Sequence, residues 1–365
     1  QRPQPDQPFL DDGAPPGRVA FCFLGPCIPS TSSRWVRRRV IGLIRAFGPQ
    51  IRSSDMILCG ISDEAGNSLA SQIQATRELG WRHLEARNVQ VPGFPKANFH
   101  EIPDAAFDQA VGMLQDAEVG IYCFASTIMN WAKRVTDPFD VTLAEVGRAI
   151  PRMQRLGTRY VRIMSFKPGD DEDRIPAEVI RRVGEVVRRF ADAGITPVHE
   201  NCMNYGGMSW RHAVELIEGV PGLRWVFDTA NPVFNADRVQ PKPWPRQDPW
   251  EFWTHVRDVT AHIHVKDARW IAAKNDADYT FPGEGDGAVR RILADALARG
   301  YDAGISIEPH MVAVFHDSQA AAQDDALRAN YVEYGRRLEG LIRELRGPAG
   351  AATWRPHDFP SIIAG

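Results

Sequence analysis

Four apolar runs in the second half of the chain each lead into a side chain able to hold a metal ion. They are Glu200 in TPVHEN, Asp228 in LRWVFDTAN, His264 in TAHIHVKD and Glu308 in GISIEPH. Each run has the length of a strand and is followed by a loop and a helix-like stretch. Parallel strands closed into a barrel bring such end positions together at the carboxyl-end mouth. Three carboxylates and one imidazole make an oxygen-rich donor set that suits Mn²⁺, Mg²⁺ or a similar divalent ion. A single strand-end Asp is more often a cap, and a single interior His more often a hydrogen-bonded core group. Four on successive strands need another explanation, because a buried carboxylate costs several kcal/mol unless it is paired or bound to a cation.

The same rhythm runs through the chain from Met56 onward. Strand candidates are 57–62, 83–87, 120–124, 160–166, 196–201, 223–229, 260–267 and 304–310. Helical patterns separate them, as in 176–193, where Val179, Ile180, Val183, Val186, Val187 and Phe190 form one stripe. Gly80, Gly120, Gly157, Gly194 and Gly222 stand just before strands, where a helix must end. Eight strands over roughly 290 residues match a single-domain α/β fold, the (β/α)8 TIM barrel. An open doubly wound sheet is the alternative, but the glycine-rich dinucleotide fingerprint after the first strand is missing.

Residues 1–55 lack this rhythm, carry Arg-rich stretches and contain no lysine. We expect a disordered extension or a start site placed too far upstream. The barrel is expected over 56–345 and a tail over 346–365. The net charge of -3 argues against a general nucleic-acid binder. No apolar run is long enough to cross a bilayer, so no membrane partner is expected. The five cysteines are scattered and odd in number, which points to a reducing, cytoplasmic setting.

Residues two apart on a strand share a face. His262, His264 and Lys266 therefore point one way, and Ala261, Ile263 and Val265 the other; the apolar set suits the helix layer. His83, Glu85 and Arg87 share a face, as do Ser306, Glu308 and His310. Behind the four ligand candidates stand Glu85, His199, Asn201, Asn231 and Lys266 as possible substrate or ligand-orienting groups. Two stretches, 229–249 and 267–287, read as long loops on the catalytic side, suited to lids or substrate walls. The second holds FPGEGDG, which resembles a phosphate-cradling loop only in being rich in glycine.

HEN at 199–201, FDTAN at 227–231, HIHVKD at 262–267, FPGEGDG at 281–287 and IEPH at 307–310 together resemble the xylose isomerase-like, sugar phosphate isomerase/epimerase superfamily. That group includes ketose 3-epimerases and inosose dehydratases, and the resemblance spans about residues 56–345. It implies a TIM barrel with one divalent ion on Glu200, Asp228, His264 and Glu308, Mn²⁺ first, with Mg²⁺, Co²⁺ or Zn²⁺ as alternatives. It implies a metal-dependent isomerase or epimerase moving a proton next to a carbonyl of a sugar or polyol through an enediolate, with Glu200 and Glu308 as acid and base. A dehydratase on a keto-inositol or keto-sugar is the alternative, and an oligomer is a common state for such barrels. Three departures imply a different substrate from the ketose 3-epimerases. Asn231 stands where those enzymes carry a His, CMNYGG where they carry a second Glu, and Arg269 only near their substrate Arg. An endonuclease IV-like phosphodiesterase would need more His ligands, one of them at the place of Asn231. A non-catalytic sugar-binding barrel would not need the intact ligand set.

Overall fold

The structure is a computed structural model that describes residues 56–311 and 324–351. Residues 1–55 and 352–365, and with them most of the expected extension and tail, lie outside the described residues. The first strands are β1 (Leu58–Gly60), β2 (His83–Ala86), and the two-residue β3 (Asn88–Val89) and β4 (Ala97–Asn98). Next come β5 (Gly120–Ala125), β6 (Tyr160–Ile163), β7 (Thr196–Glu200), β8 (Arg224–Asp228) and β9 (Thr260–Val265). A hairpin, β10 (Asp267–Ile271) and β11 (Asp276–Thr280), precedes β12 (Gly304–Ile307).

Eight of these pair in the order β1-β12-β9-β8-β7-β6-β5-β2, all parallel, and a bridge between Ile61 and Glu85 joins the two ends. The chain is a (β/α)8 barrel, as the alternation of runs predicts. The helices between strands bury the stripes that the sequence shows. In Ala177–Asp192 these are Val179, Val183, Val186, Val187 and Phe190, while Glu178–Arg182 and Glu185–Arg189 pair on the wet face. Gly157 and Gly194 close their helices at φ 67 and φ 75, a conformation that glycine adopts without steric cost. Two apolar layers separate barrel from helices, one around Phe124, Val161 and Val187 and one around Trp225, Ile263 and Ile307. A small interior cluster of Cys59, Tyr122, Cys123, Val198 and Val226 fills the barrel below the mouth.

Two expectations are corrected. The stretch 267–287 is not a structureless loop: its first half is the β10–β11 hairpin, registered Asp267 to Thr280 through Ile271 to Asp276. The last helix runs on past residue 346 to Ala351, broken at Gly347 (φ 68, ψ 176). Among the described residues no helix is long and apolar enough to cross a membrane.

Candidate metal centre

Glu200 and Asp228 are the last residues of β7 and β8, His264 is the last but one of β9, and Glu308 follows β12 directly. All four are buried, and one ligand atom from each lies within 4.8 Å of the others. Alternation explains the convergence: Glu200 shares a face with Val198, Asp228 with Val226 and His264 with His262, all turned inward.

Each side chain is fixed by hydrogen bonds or ion pairs to its neighbours. Asp228 Oδ1 accepts the Ala230 and Asn231 N–H groups at 3.0 and 2.6 Å, starting the short helix Asn231–Phe234. Its Oδ2 accepts no hydrogen bond and lies 3.1 Å from Lys266 Nζ. Glu200 Oε1 accepts from Asn231 Nδ2 at 3.2 Å, and Oε2 lies 3.0 Å from Arg162 Nη1. His264 Nε2 stands 3.1 Å from both oxygens of Glu85, whereas its Nδ1 has no hydrogen-bond partner. A carboxylate can only accept, so the shared proton belongs on Nε2 and Nδ1 is the nitrogen available to a metal. Glu308 is gripped at both ends, Oε1 by Arg87 Nη1 at 2.7 Å and Oε2 by Lys266 Nζ at 3.0 Å.

The electrostatics show a site short of positive charge. Six buried carboxylates, Asp63, Glu64, Glu85, Glu200, Asp228 and Glu308, face three fixed cations, Arg87, Arg162 and Lys266, and the imidazolium of His264. Burial pushes Asp228 up to about 7; Lys266 opposes the rise, and Glu308 and Glu200 add to it. Burial would raise Glu200 and Glu308 as well, but Arg162 and His264 pull the first down to about 2, and Lys266, His310 and Arg87 hold the second well below the carboxylate range. Burial works against a charged imidazole at His264, yet Glu85 and Glu200 carry it to about 10. A divalent ion would take over from that proton, and Asp228 Oδ2 and His264 Nδ1, neither of which makes a hydrogen bond, fit such an ion.

The other sequence candidates fall into different places. Lys266 lies inside the cluster, and Asn231 touches Glu200 directly. Asn201 instead ties down the strand end, exchanging two hydrogen bonds of 2.8 Å with the backbone of Asp228. Glu85 is fully buried behind His264, with Oε2 also 2.7 Å from His262 Nε2 and 2.5 Å from Ser306 Oγ. His199 points out of the barrel and stacks on Trp225 at 4.7 Å, as the neighbour of an inward residue must. Arg269 is exposed on the hairpin, its guanidinium given to the Glu284 carbonyl. The glycine-rich loop does cradle an anion, but it is the chain's own: Gly283, Gly285 and Gly287 donate to Asp267 at 2.8 to 3.0 Å.

Sequence reasoning did not place Arg87, Arg162, Asp63 and Glu64 at the site. Alternation along YVRI was signal enough for Arg162, which shares its face with Tyr160. Arg87 alone contacts Asp63, Glu64 and Glu308 at 2.7, 2.6 and 2.7 Å.

A barrel of eight parallel strands is the architecture of a known class, and the chain belongs to it. It is a member of the xylose isomerase-like TIM barrel family, whose sequence model matches residues 73–329. Among solved structures it is similar to a xylose isomerase-like TIM barrel protein from Mycobacterium smegmatis in complex with magnesium. That pair shares 17% identity at a TM-score of 0.55, over 80% of this chain and 98% of the other. A D-tagatose 3-epimerase-like protein matches at 16% identity and a TM-score of 0.59, over 80% and 98% of the two chains. The probable 3-DHS dehydratase AsbF from Bacillus anthracis matches at 17% and 0.53, over 76% and 97%. No curated protein matches the chain by sequence.

Proposed function

We propose that the chain is a divalent-metal-dependent isomerase or epimerase of a sugar or polyol, acting by proton transfer at a carbon next to a carbonyl. The observation that carries this reading is the Glu200, Asp228, His264 and Glu308 set, whose ligand atoms converge while the buried Asp228 Oδ2 and His264 Nδ1 make no hydrogen bond. Those four residues would hold the ion, which when bound supplies Lewis acidity toward neighbouring substrate oxygens. Glu200 and Glu308 approach from different strands, so one can remove the proton and the other return it. Asn231 and Arg162 orient Glu200, while Arg87 and Lys266 orient Glu308. Lys266 is held well above its usual pKa, against the effect of burial, by Asp228 and Glu308. It therefore acts as a fixed positive charge beside the developing anion rather than as a base.

That permanent ammonium also favours a second reading, dehydration, because it can stabilise a departing hydroxide next to the carbanion. The test is elemental analysis of purified protein with Glu308→Gln and His264→Ala beside it, followed by turnover of ketoses and keto-inositols in D₂O. One Mn, Mg, Co or Zn per chain, lost in the variants, with solvent deuterium entering next to the carbonyl, is the expected outcome. Elimination of water from the substrate selects the dehydratase. A parent that retains no metal after loading would end both readings.

A further inference from the structure

Four cationic side chains enter the barrel, and they are not alike. Arg87, Arg162 and Lys266 each lie within 3.1 Å of a carboxylate. Arg224, the first residue of β8, has none. It pairs in register with Val198, which lies in the interior cluster, so it faces inward at the end of the barrel opposite the metal set. Among the described residues it makes no hydrogen bond, ion pair or ring contact, although it is half-buried. An unpaired guanidinium in such a place costs stability unless something supplies the negative charge.

That end of the barrel holds a cavity of about 380 Å³ lined by Arg224 together with Tyr160, Thr260, Tyr301, Arg257 and Arg299. The other two arginines are already committed, Arg257 to Asp295 at 3.0 Å and Arg299 to Asp258. Tyr301 gives its hydroxyl to the Gly304 carbonyl at 2.7 Å. Asp302 sits exposed on the rim without an ion pair, and it is not among the groups that act on Arg224. Burial pulls the Arg224 pKa down, with the nearby Tyr160 and Tyr301 phenols working the other way. The side chain is thus a cation held in a cavity beside two phenols, with its planar donor edge unused.

We infer that this floor cavity is a binding site for a small oxyanion, a carboxylate or phosphate group, anchored by Arg224 and separate from the metal centre. The feature that fits an anion is the uncommitted bidentate donor of Arg224 with the Tyr160 phenol beside it; Arg257 and Arg299 at the edge are already paired with Asp295 and Asp258 and leave Arg224 as the anchor. The geometry requires no catalysis there, so the occupant is a regulatory or stabilising ligand.

The test uses full-length protein stripped of metal with EDTA, so that an ion at the mouth cannot capture the probe. Inorganic phosphate and acetate are titrated separately by calorimetry into the parent, Arg224→Gln and Glu308→Gln. We expect saturable binding of one anion per chain in at least one arm, weakened ten-fold or more in Arg224→Gln and unchanged in Glu308→Gln; the arm that binds identifies the anion. The melting temperature gives an independent readout. In anion-free buffer Arg224→Gln melts at or above the parent, because it removes an uncompensated charge, and the order reverses when the binding anion is added. No saturable binding in either arm, equal binding by Arg224→Gln, or binding lost in Glu308→Gln instead would overturn the assignment. An Arg224→Gln protein that fails to fold would also overturn it, since the guanidinium would then be a structural group. None of these outcomes depends on the metal reading of the mouth.

Discussion

Glu85 is a buried carboxylate set behind His264. Burial alone would raise its pKa, but the imidazoles of His264 and His262 hold it well below the carboxylate range. It thereby stays an acceptor for His264 Nε2 and keeps Nδ1 turned toward Glu200, Asp228 and Glu308. Partners of this kind typically contribute a factor of 10 to 100 in metal affinity. Glu85→Gln should therefore weaken Mn²⁺ or Zn²⁺ binding by about 10- to 100-fold while circular dichroism stays native. An unchanged dissociation constant would show that His264 is oriented by packing alone. The four ligand candidates were legible in the sequence because each closes an apolar run. Glu85 was legible as an inward carboxylate but not as the partner of His264, since nothing local tells which strands face each other across a barrel. His199 faces away from Glu200 because neighbours on a strand face opposite sides, and it stacks on Trp225.

At the scale of elements, the hairpin and the glycine-rich loop after β9 act as one unit around Asp267. Its carboxylate accepts four backbone N–H groups, from Ala268, Gly283, Gly285 and Gly287, at 2.8 to 3.0 Å. A side chain at Gly285 would bring Cβ within 2.6 Å of the Ala268 carbonyl oxygen and against Asp267 itself, which accounts for glycine there. Asp267→Ala leaves those donors without an acceptor, and we expect a loss of about 2 to 4 kcal/mol in denaturant unfolding. Gly285→Ala should cost about 2 kcal/mol, because the contact is with backbone and cannot be relieved by a rotamer change. Limited proteolysis should then cut between residues 272 and 287 first in both variants; cleavage no faster than in the parent would separate this loop from Asp267. The sequence showed the glycines but not the anion they surround. The hairpin escaped notice because DARWI and DADYT mix charged and apolar residues without a clean alternation.

For the whole molecule, the barrel was legible from eight runs, their spacing and the glycines before them, because those features are set locally. The balance of charge at the mouth was not, since it depends on which strand ends the closed sheet brings together. Burial lifts Asp228 to about 7, with Glu308 and Glu200 adding to the rise and Lys266 and His264 opposing it, so the carboxylates of the mouth repel one another. A fold that stores such repulsion should gain stability when a divalent ion arrives. At a free metal concentration 100 times the dissociation constant the linkage is worth about 2.7 kcal/mol, or roughly 5 °C in melting temperature for a barrel of this size. Asp228→Asn makes the sharper test. The amide oxygen can still accept from Ala230 and Asn231, so the short helix keeps its start, while one of the carboxylates crowded at the mouth loses its charge. Without metal this variant should melt at or above the parent by about 1 kcal/mol, and adding Mn²⁺ should no longer raise it. Were the metal-free variant clearly less stable than the metal-free parent, Asp228 would be a structural group satisfied by Lys266, and the repulsion attributed to the mouth would not exist. A parent that gains from metal while its variant gains only from losing a charge would show that the mouth is built for the ion at the expense of the empty fold.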